Sequence, residues 1–301
     1  MRKILVFILL LLVQKTNSQS ACFEKKEHPM PALSEQAKTL YSTKLTEAKA
    51  NYDKDSLNAD NIIWLGRRTA YLGKYSEAIA IFTKGIQLHP ADARFYRHRG
   101  HRYITLRCFD KAIADFKKAA ALIKGKSDEV EPDGLPNAKN IPTSTLQSNI
   151  WYHLGLCYYI KGEYKAALTA YKNCLAVSTN NDMYVATANW LNITLRKLGK
   201  KKEADDLVAT IDDKMELIEN KDYHQLLLLY KHDTDLADPV NYLQAGKKDL
   251  GLASFGFGLG NYLLQKGKKK QAREIFEMIT ASDQWASFGY IAAEAELARM
   301  K

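Results

Sequence analysis

Beyond residue 13 the 301-residue chain has no long hydrophobic run. A membrane-spanning helix needs about 20 consecutive apolar residues, so none is expected there. Cysteine is scarce, four residues in all, which argues against a small fold stapled by disulfides. There is no Walker loop, no Ser-x-x-Lys, no His-Glu-x-x-His and no Gly-x-Ser-x-Gly, so no phosphate-loop, serine-hydrolase or zinc-protease chemistry is written in the chain. Nothing calls for a cofactor. No nucleic-acid module is present either, and nucleic acid is not expected as a partner.

What is present is a period. Leu65, Gly66, Gly73, Tyr75, Ala78, Phe82 and Pro90 occupy positions 7, 8, 15, 17, 20, 24 and 32 of a unit starting at residue 59. Gly100, Tyr103, Phe109, Ala112, Phe116 and Ala119 fall at positions 8, 11, 17, 20, 24 and 27 of a second unit starting at 93. A third unit from 148 carries Trp151, Leu154, Gly155, Tyr158, Gly162, Tyr164, Ala167 and Tyr171. A weaker one from 185 carries Leu191, Leu195, Gly199, Ala204 and Ile211, and a clear one from 253 carries Leu259, Gly260, Leu263, Gly267, Ala272 and Phe276. Small residues at positions 8 and 20 let two helices approach, and large apolar side chains fill the space beside them. Glycine at 15 ends the first helix, where a left-handed backbone has no side-chain penalty. This spacing resembles the tetratricopeptide repeat, a helix–turn–helix unit of about 34 residues. The resemblance implies an all-α, right-handed α-α superhelix, because one helix pair cannot bury its own apolar face and pairs must stack.

The register assigns the remaining segments. Residues 1–20 read as a secretion signal: Arg2 and Lys3 precede an apolar run over 4–13, with Ser18 and Ser20 at the cleavage site. The expected location is therefore periplasmic or secreted; lipid attachment at Cys22 is the alternative. Residues 21–58 form an N-terminal segment and capping helix, with an apolar stripe over 34–52. Repeats 1 and 2 occupy 59–126, an insertion 127–147, repeats 3 and 4 148–218, a degenerate repeat 219–252, and a last repeat with a capping helix over 285–300 fills 253–301. The degenerate repeat is expected to place its first helix over 222–231 and its second from Pro239, with an irregular connector as the alternative. Cys157 and Cys174 read as small core residues, and Cys108 as an exposed thiol at an inter-helix turn.

The resemblance also implies a concave groove lined by positions 2, 5, 9, 12 and 13 of the first helices. These are Arg67 and Tyr71, then Arg94, Arg97 and His101, then Asn149, Tyr152 and Tyr159. Arginine matches carboxylates bidentately and tyrosine adds contact area at low entropy cost, so the groove suits an acidic peptide. Without the signal, forty-one basic residues face thirty-four acidic ones, a modest excess in the same direction. The carboxylate clamp of chaperone-binding repeats wants Lys and Asn where this chain has Ile63 and Arg67, so chaperone-tail binding is not implied. The insertion, with Glu129, Glu131 and Asp133, either adds ligand contacts, or latches onto Arg97 and His101 and plugs the groove, or is a disordered spacer. His98 and His101, three apart on one helix, read poorly as a metal site because nothing else of ligating type is correctly spaced.

Blocks at 63–68, 97–103, 142–153 and 288–293 resemble a family of bacterial tetratricopeptide proteins with an inserted loop between repeats 2 and 3. That resemblance implies no activity. The expected function is a non-catalytic, exported scaffold for a protein or peptide. One alternative is an enzyme or small-ligand protein built on His98, His101 and His153 under the loop. The other is an envelope-assembly subunit that binds through its convex face.

Overall fold

The computed structural model describes residues 22–24, 27–246 and 249–300. The secretion signal expected over residues 1–20 lies outside them. Fourteen helices run through the described residues. Helix α1 (Glu35–Lys54) precedes six pairs: α2 (Ala59–Tyr71) with α3 (Tyr75–Leu88), α4 (Ala93–Thr105) with α5 (Phe109–Ile123), α6 (Leu146–Lys161) with α7 (Tyr164–Val177), α8 (Asn181–Lys197) with α9 (Lys201–Ala209), α10 (Lys221–Lys231) with α11 (Pro239–Gly246), and α12 (Asp249–Gln265) with α13 (Lys269–Thr280). Helix α14 (Phe288–Arg299) follows. Residues 219–252 thus hold a helix pair.

The repeat chemistry is visible atom by atom. A Cβ placed on Gly66, Gly100, Gly155 or Gly260 would fall 2.4, 2.9, 2.7 or 2.3 Å from the ring of Phe82, Phe116, Tyr171 or Phe276. Position 8 is bare because the ring at position 24 of the same pair lies on it. The alanines at position 20, Ala78, Ala112, Ala167, Ala204 and Ala272, are fully buried where the two helices cross.

First helices start with polar caps, Asn58, Asp92, Thr145 and Asn180, whose side chains accept from the free N–H groups of the first turn. Second helices have no such cap at Lys74, Cys108, Glu163, Lys200 or Lys268. They follow position 15 instead, where the chain turns through the left-handed region at Gly73, Gly162, Gly199 and Gly267. Repeat 2 puts Arg107 at that position with φ 58°, and the degenerate repeat puts Asp233 there with φ 50°. An L side chain in that conformation costs roughly 1–2 kcal/mol. Arg107 is held there by hydrogen bonds to Glu294 Oε2, to the Trp285 carbonyl at 2.8 Å and to the Thr105 carbonyl at 2.6 Å.

Both ends of the described residues pack on the body. Helix α14 packs on α12 so closely that a Cβ on Gly289 would lie 2.1 Å from the Ala253 carbonyl oxygen. Its other face is turned inward rather than to solvent, against the first helices. Glu296, 2% exposed, accepts from Tyr159 Oη at 2.8 Å and from Lys197 Nζ at 2.8 Å. The N-terminal segment is fastened by a disulfide between Cys22 and Cys108 and by Phe23 N–H donating to the Leu106 carbonyl at 2.8 Å. The expected exposed thiol at Cys108 is therefore corrected. Residue 108 is buried and oxidised because the segment before α1 folds back across the turn between α4 and α5. Cys157 and Cys174 are free and buried.

Candidate functional site

The insertion folds as a tongue across the concave face. Its two arms pair through the bridge Val130–Thr145, with Glu131 N–H donating to Ser144 O at 3.1 Å and Leu146 N–H to Glu129 O at 2.9 Å. The tip reaches α2, where Arg67 donates to the Pro132 carbonyl at 2.8 Å and Arg68 to the Gly134 carbonyl at 2.7 Å. On the return arm the Thr143 hydroxyl donates to Glu219, and Asn180 donates to the Thr143 carbonyl at 3.0 Å. The tongue therefore bridges repeat 1 to the connector after repeat 4.

Beneath it Glu131 is the central group. Its Oε2 lies 2.8 Å from Arg97 Nε, an ion pair whose direction is poor for a hydrogen bond, and 3.2 Å from Asn149 Nδ2. Its Oε1 lies 3.9 Å from His98 Nε2. Arg97 Nη1 in turn approaches His98 Nδ1 at 3.1 Å and His101 Nδ1 at 3.3 Å. Burial, with neighbouring arginines adding, pushes His98 and His101 well below the ordinary imidazole range, so both are neutral. His153 is pushed down to about 3, chiefly by burial; its Nδ1–H donates to the Asn149 carbonyl at 2.5 Å. Asp133 on the tongue is raised by burial and by Glu219, and one of its oxygens is buried without a partner.

Not every expected groove residue faces a ligand space. Arg67, Tyr71, Arg97, His98, His101 and Glu131 do converge, around a cavity of about 90 Å³. Asn149 reaches it only through Glu131. Arg94 stands at the entrance, clamped by Asp60 and Asp92 at 2.6 Å each. Tyr152 is buried, its hydroxyl 3.3 Å from that of Tyr223. Tyr159 is fully buried and hydrogen-bonds to Asn261 and Glu296, so it is core and not groove wall. The physical reason is α14. It fills the space in front of α6, and Phe288 sits with ring centroids 5.1 Å from His101 and 5.2 Å from His153. Glu129 is exposed at the outer edge of the tongue.

Beside that cavity lies a cleft of about 250 Å³ between α2, α4 and the tongue, lined among others by Asp60, Trp64, Arg67, Arg94 and Glu129. The guanidinium groups of Arg67 and Arg68 lie 4.3 and 4.7 Å from the centroid of the Trp64 ring. The groove register passes over Trp64 and Arg102, at positions 6 and 10, yet both line these spaces. One signal was available. The run Arg97, Arg99, Arg102 holds more cations than α5 has acids to pair them, and Asp115 takes only Arg99, through both oxygens.

Comparison with known proteins agrees with this architecture. The tetratricopeptide repeat family model matches residues 148–181. An Hsp70-Hsp90 organising protein from Plasmodium falciparum is 24% identical over 175 residues, 58% of this chain; the chain spans only about a quarter of that relative's length, 27%. Among solved structures, a tetratricopeptide repeat protein from Parabacteroides merdae is 17% identical, covers 88% of this chain and 94% of its own, and superposes with a TM-score of 0.48. YrrB, described as having an unusual peptide-binding site, is 15% identical with 84% and 96% covered and a TM-score of 0.44. These likenesses are too remote to carry function, and the assignment rests on the chain's own repeats. With the family model falling on repeat 3 and the glycine-under-ring contact recurring from pair to pair, this chain is a tetratricopeptide-repeat protein.

Proposed function

We propose that the chain is an exported, non-catalytic scaffold that takes an acidic segment of a partner protein into the cleft between α2, α4 and the tongue. The observation that carries this reading is the cleft itself, where Arg67 and Arg94 flank Trp64 beside the acids Asp60, Glu129 and Glu131. Aromatic area flanked by guanidinium groups is the composition of an interaction hot spot. Export is supported by the basic and apolar start of the sequence and by the Cys22–Cys108 disulfide, a bond that persists in oxidising compartments. A lipid on the Cys22 sulfur and this disulfide exclude each other. The enzyme alternative is disfavoured because, among the described residues, His101 and His153 have no carboxylate within hydrogen-bond reach to orient them, and His98 stands 3.9 Å from Glu131.

A second reading has one observation behind it. An apolar trough of about 450 Å³ runs between the end of α5 and the start of α6, lined by Ala120, Ala121, Ile123 and Trp151. A partner seated there would bind outside the groove, as an envelope-assembly subunit would. The test is binding of an acidic peptide library, and of partners captured by the mature chain, to two variants whose folding is checked by circular dichroism: Arg67→Glu with Arg94→Glu, and Ala121→Arg. Loss with the first alone supports the cleft. Loss with the second alone overturns it in favour of the trough.

A further inference from the structure

We propose that the smaller cavity under the tongue is a binding site for a small doubly charged oxyanion of the phosphate class. The inference stands on the cavity and does not need the scaffold reading.

The argument begins with charge. Three guanidinium groups, from Arg67, Arg97 and Arg102, line a space of about 90 Å³ that one carboxylate, Glu131, shares with them. The surrounding imidazoles are neutral, so two positive charges have no counter-charge in the lining. Asp133 acts electrostatically on Arg67 from the tongue but does not line the cavity. Most arginines elsewhere are paired with acids, Arg99 with Asp115, Arg107 with Glu294, Arg196 with Asp205 and Arg299 with Glu296, while Arg68 is held by the Gly134 carbonyl. A buried cation without a partner is costly, so an unpaired cluster marks a place where something else supplies the charge.

Arg102, which is half-buried, is the sharpest case. Its guanidinium makes a cation–π approach to Tyr75, 5.8 Å to the ring centroid, and among the described residues no hydrogen bond or ion pair holds that group. Burial, with Arg97 and Arg67 adding to it, pushes its guanidinium down to about 10. The donors that ring the cavity suit a tetrahedral dianion. Guanidinium forks and the Tyr71 hydroxyl donate hydrogen bonds, and a neutral imidazole donates through whichever nitrogen carries its proton. The volume fits a single small anion and no peptide. Arg67, His98 and Glu131 also line the larger cleft next door, so an anionic group carried on a larger molecule has a path in. Glu131 on its tongue would then be the internal competitor for the same arginines.

The test is titration of the mature, disulfide-bonded chain with inorganic phosphate, with phenyl phosphate, and with sodium chloride at matched ionic strength. Thermal unfolding and the imidazole signals of His98 and His101 in NMR are followed together. The expected result is a saturable rise in Tm with one or both phosphates and not with chloride, with the two histidines becoming more basic as the dianion offsets the arginines. Phosphate alone points to a free anion, and phenyl phosphate alone to a group on a larger molecule. Arg102→Gln is expected to weaken binding at least tenfold while leaving the anion-free Tm unchanged or higher, since no carboxylate loses its partner. Should that variant fail to fold, Arg67→Gln, at the partly exposed rim, serves in its place with at least a threefold loss. Equal stabilisation by chloride, or unchanged affinity in the variant, overturns the proposal.

Discussion

Acid is expected to weaken this protein through His153 over a defined window. The ring is 4% exposed, stacks on Phe116 at 5.7 Å, meets Phe288 edge-on at 5.2 Å and donates through Nδ1 to the Asn149 carbonyl. A charged imidazole there would lose its hydration and face Arg97 and Arg102, so the folded state holds the ring neutral down to about pH 3. In the unfolded chain the same ring protonates near its ordinary value of 6.5. Because the folded value is the lower one, this contribution is fully present above about pH 6.5 and is lost as pH falls toward 3. At about 1.4 kcal/mol per pH unit, going from pH 7 to pH 5 removes about 2 kcal/mol. The assay is urea unfolding by circular dichroism at pH 7, 6 and 5, for the native sequence and for His153→Phe, which fills the same aromatic slot without titrating. The native chain should lose about 2 kcal/mol more than the variant over that range. His98, depressed in the same direction, adds equally to both proteins and cancels, whereas His101 owes part of its depression to His153, so the difference reads the two rings together. Parallel profiles would refute the reasoning and mean that water reaches the ring and lets it charge in place.

Glu131→Gln leaves Arg97 buried without a counter-charge, and breaking such a pair typically costs about 3–5 kcal/mol; the urea midpoint should fall, cleavage of the tongue in limited proteolysis should quicken, and Arg97→Met added to it should recover part of the loss. Gly289→Ala pushes a methyl against the Ala253 carbonyl, which is backbone and cannot turn aside; an overpacking cost of about 1–3 kcal/mol and faster amide exchange in α14 are expected, and an unchanged protein would place α14 elsewhere. Reduction of Cys22–Cys108, which closes a span of 86 residues, should lower stability by up to about 4–5 kcal/mol in chain entropy, read as a drop in Tm on adding reductant that Cys22→Ser reproduces without it.

How far the chain can be read follows from the distance over which each contact acts. Gly66 and Phe82 belong to one helix pair, and their contact repeats with each unit, so the superhelix is legible as a spacing of small and aromatic residues. Asp233 at position 15 shows why 219–252 reads weakly: a polar side chain in the left-handed turn does the work of the missing glycine. The tongue is harder. Its anchors on α2 are the carbonyls of Pro132 and Gly134, and a backbone oxygen has no residue signature. Only the acid of Glu131 opposite Arg97 could be anticipated from residue type.

Hardest are the contacts that close the groove. Tyr159 meets Glu296 across 137 residues, and Arg107 meets Glu294 across 187. Nothing periodic links these pairs, so position 12 of repeat 3 reads as groove wall although α14 makes it core. The same rule explains why Arg102 escapes a reading by position. What distinguishes it is a missing partner, and an absence of counter-charge is seen only when every acid of the fold has been assigned to the cation it holds. The anion site and the tongue that covers it are therefore properties of the assembled charge distribution, and the repeat pattern supplies the scaffold on which that distribution is held.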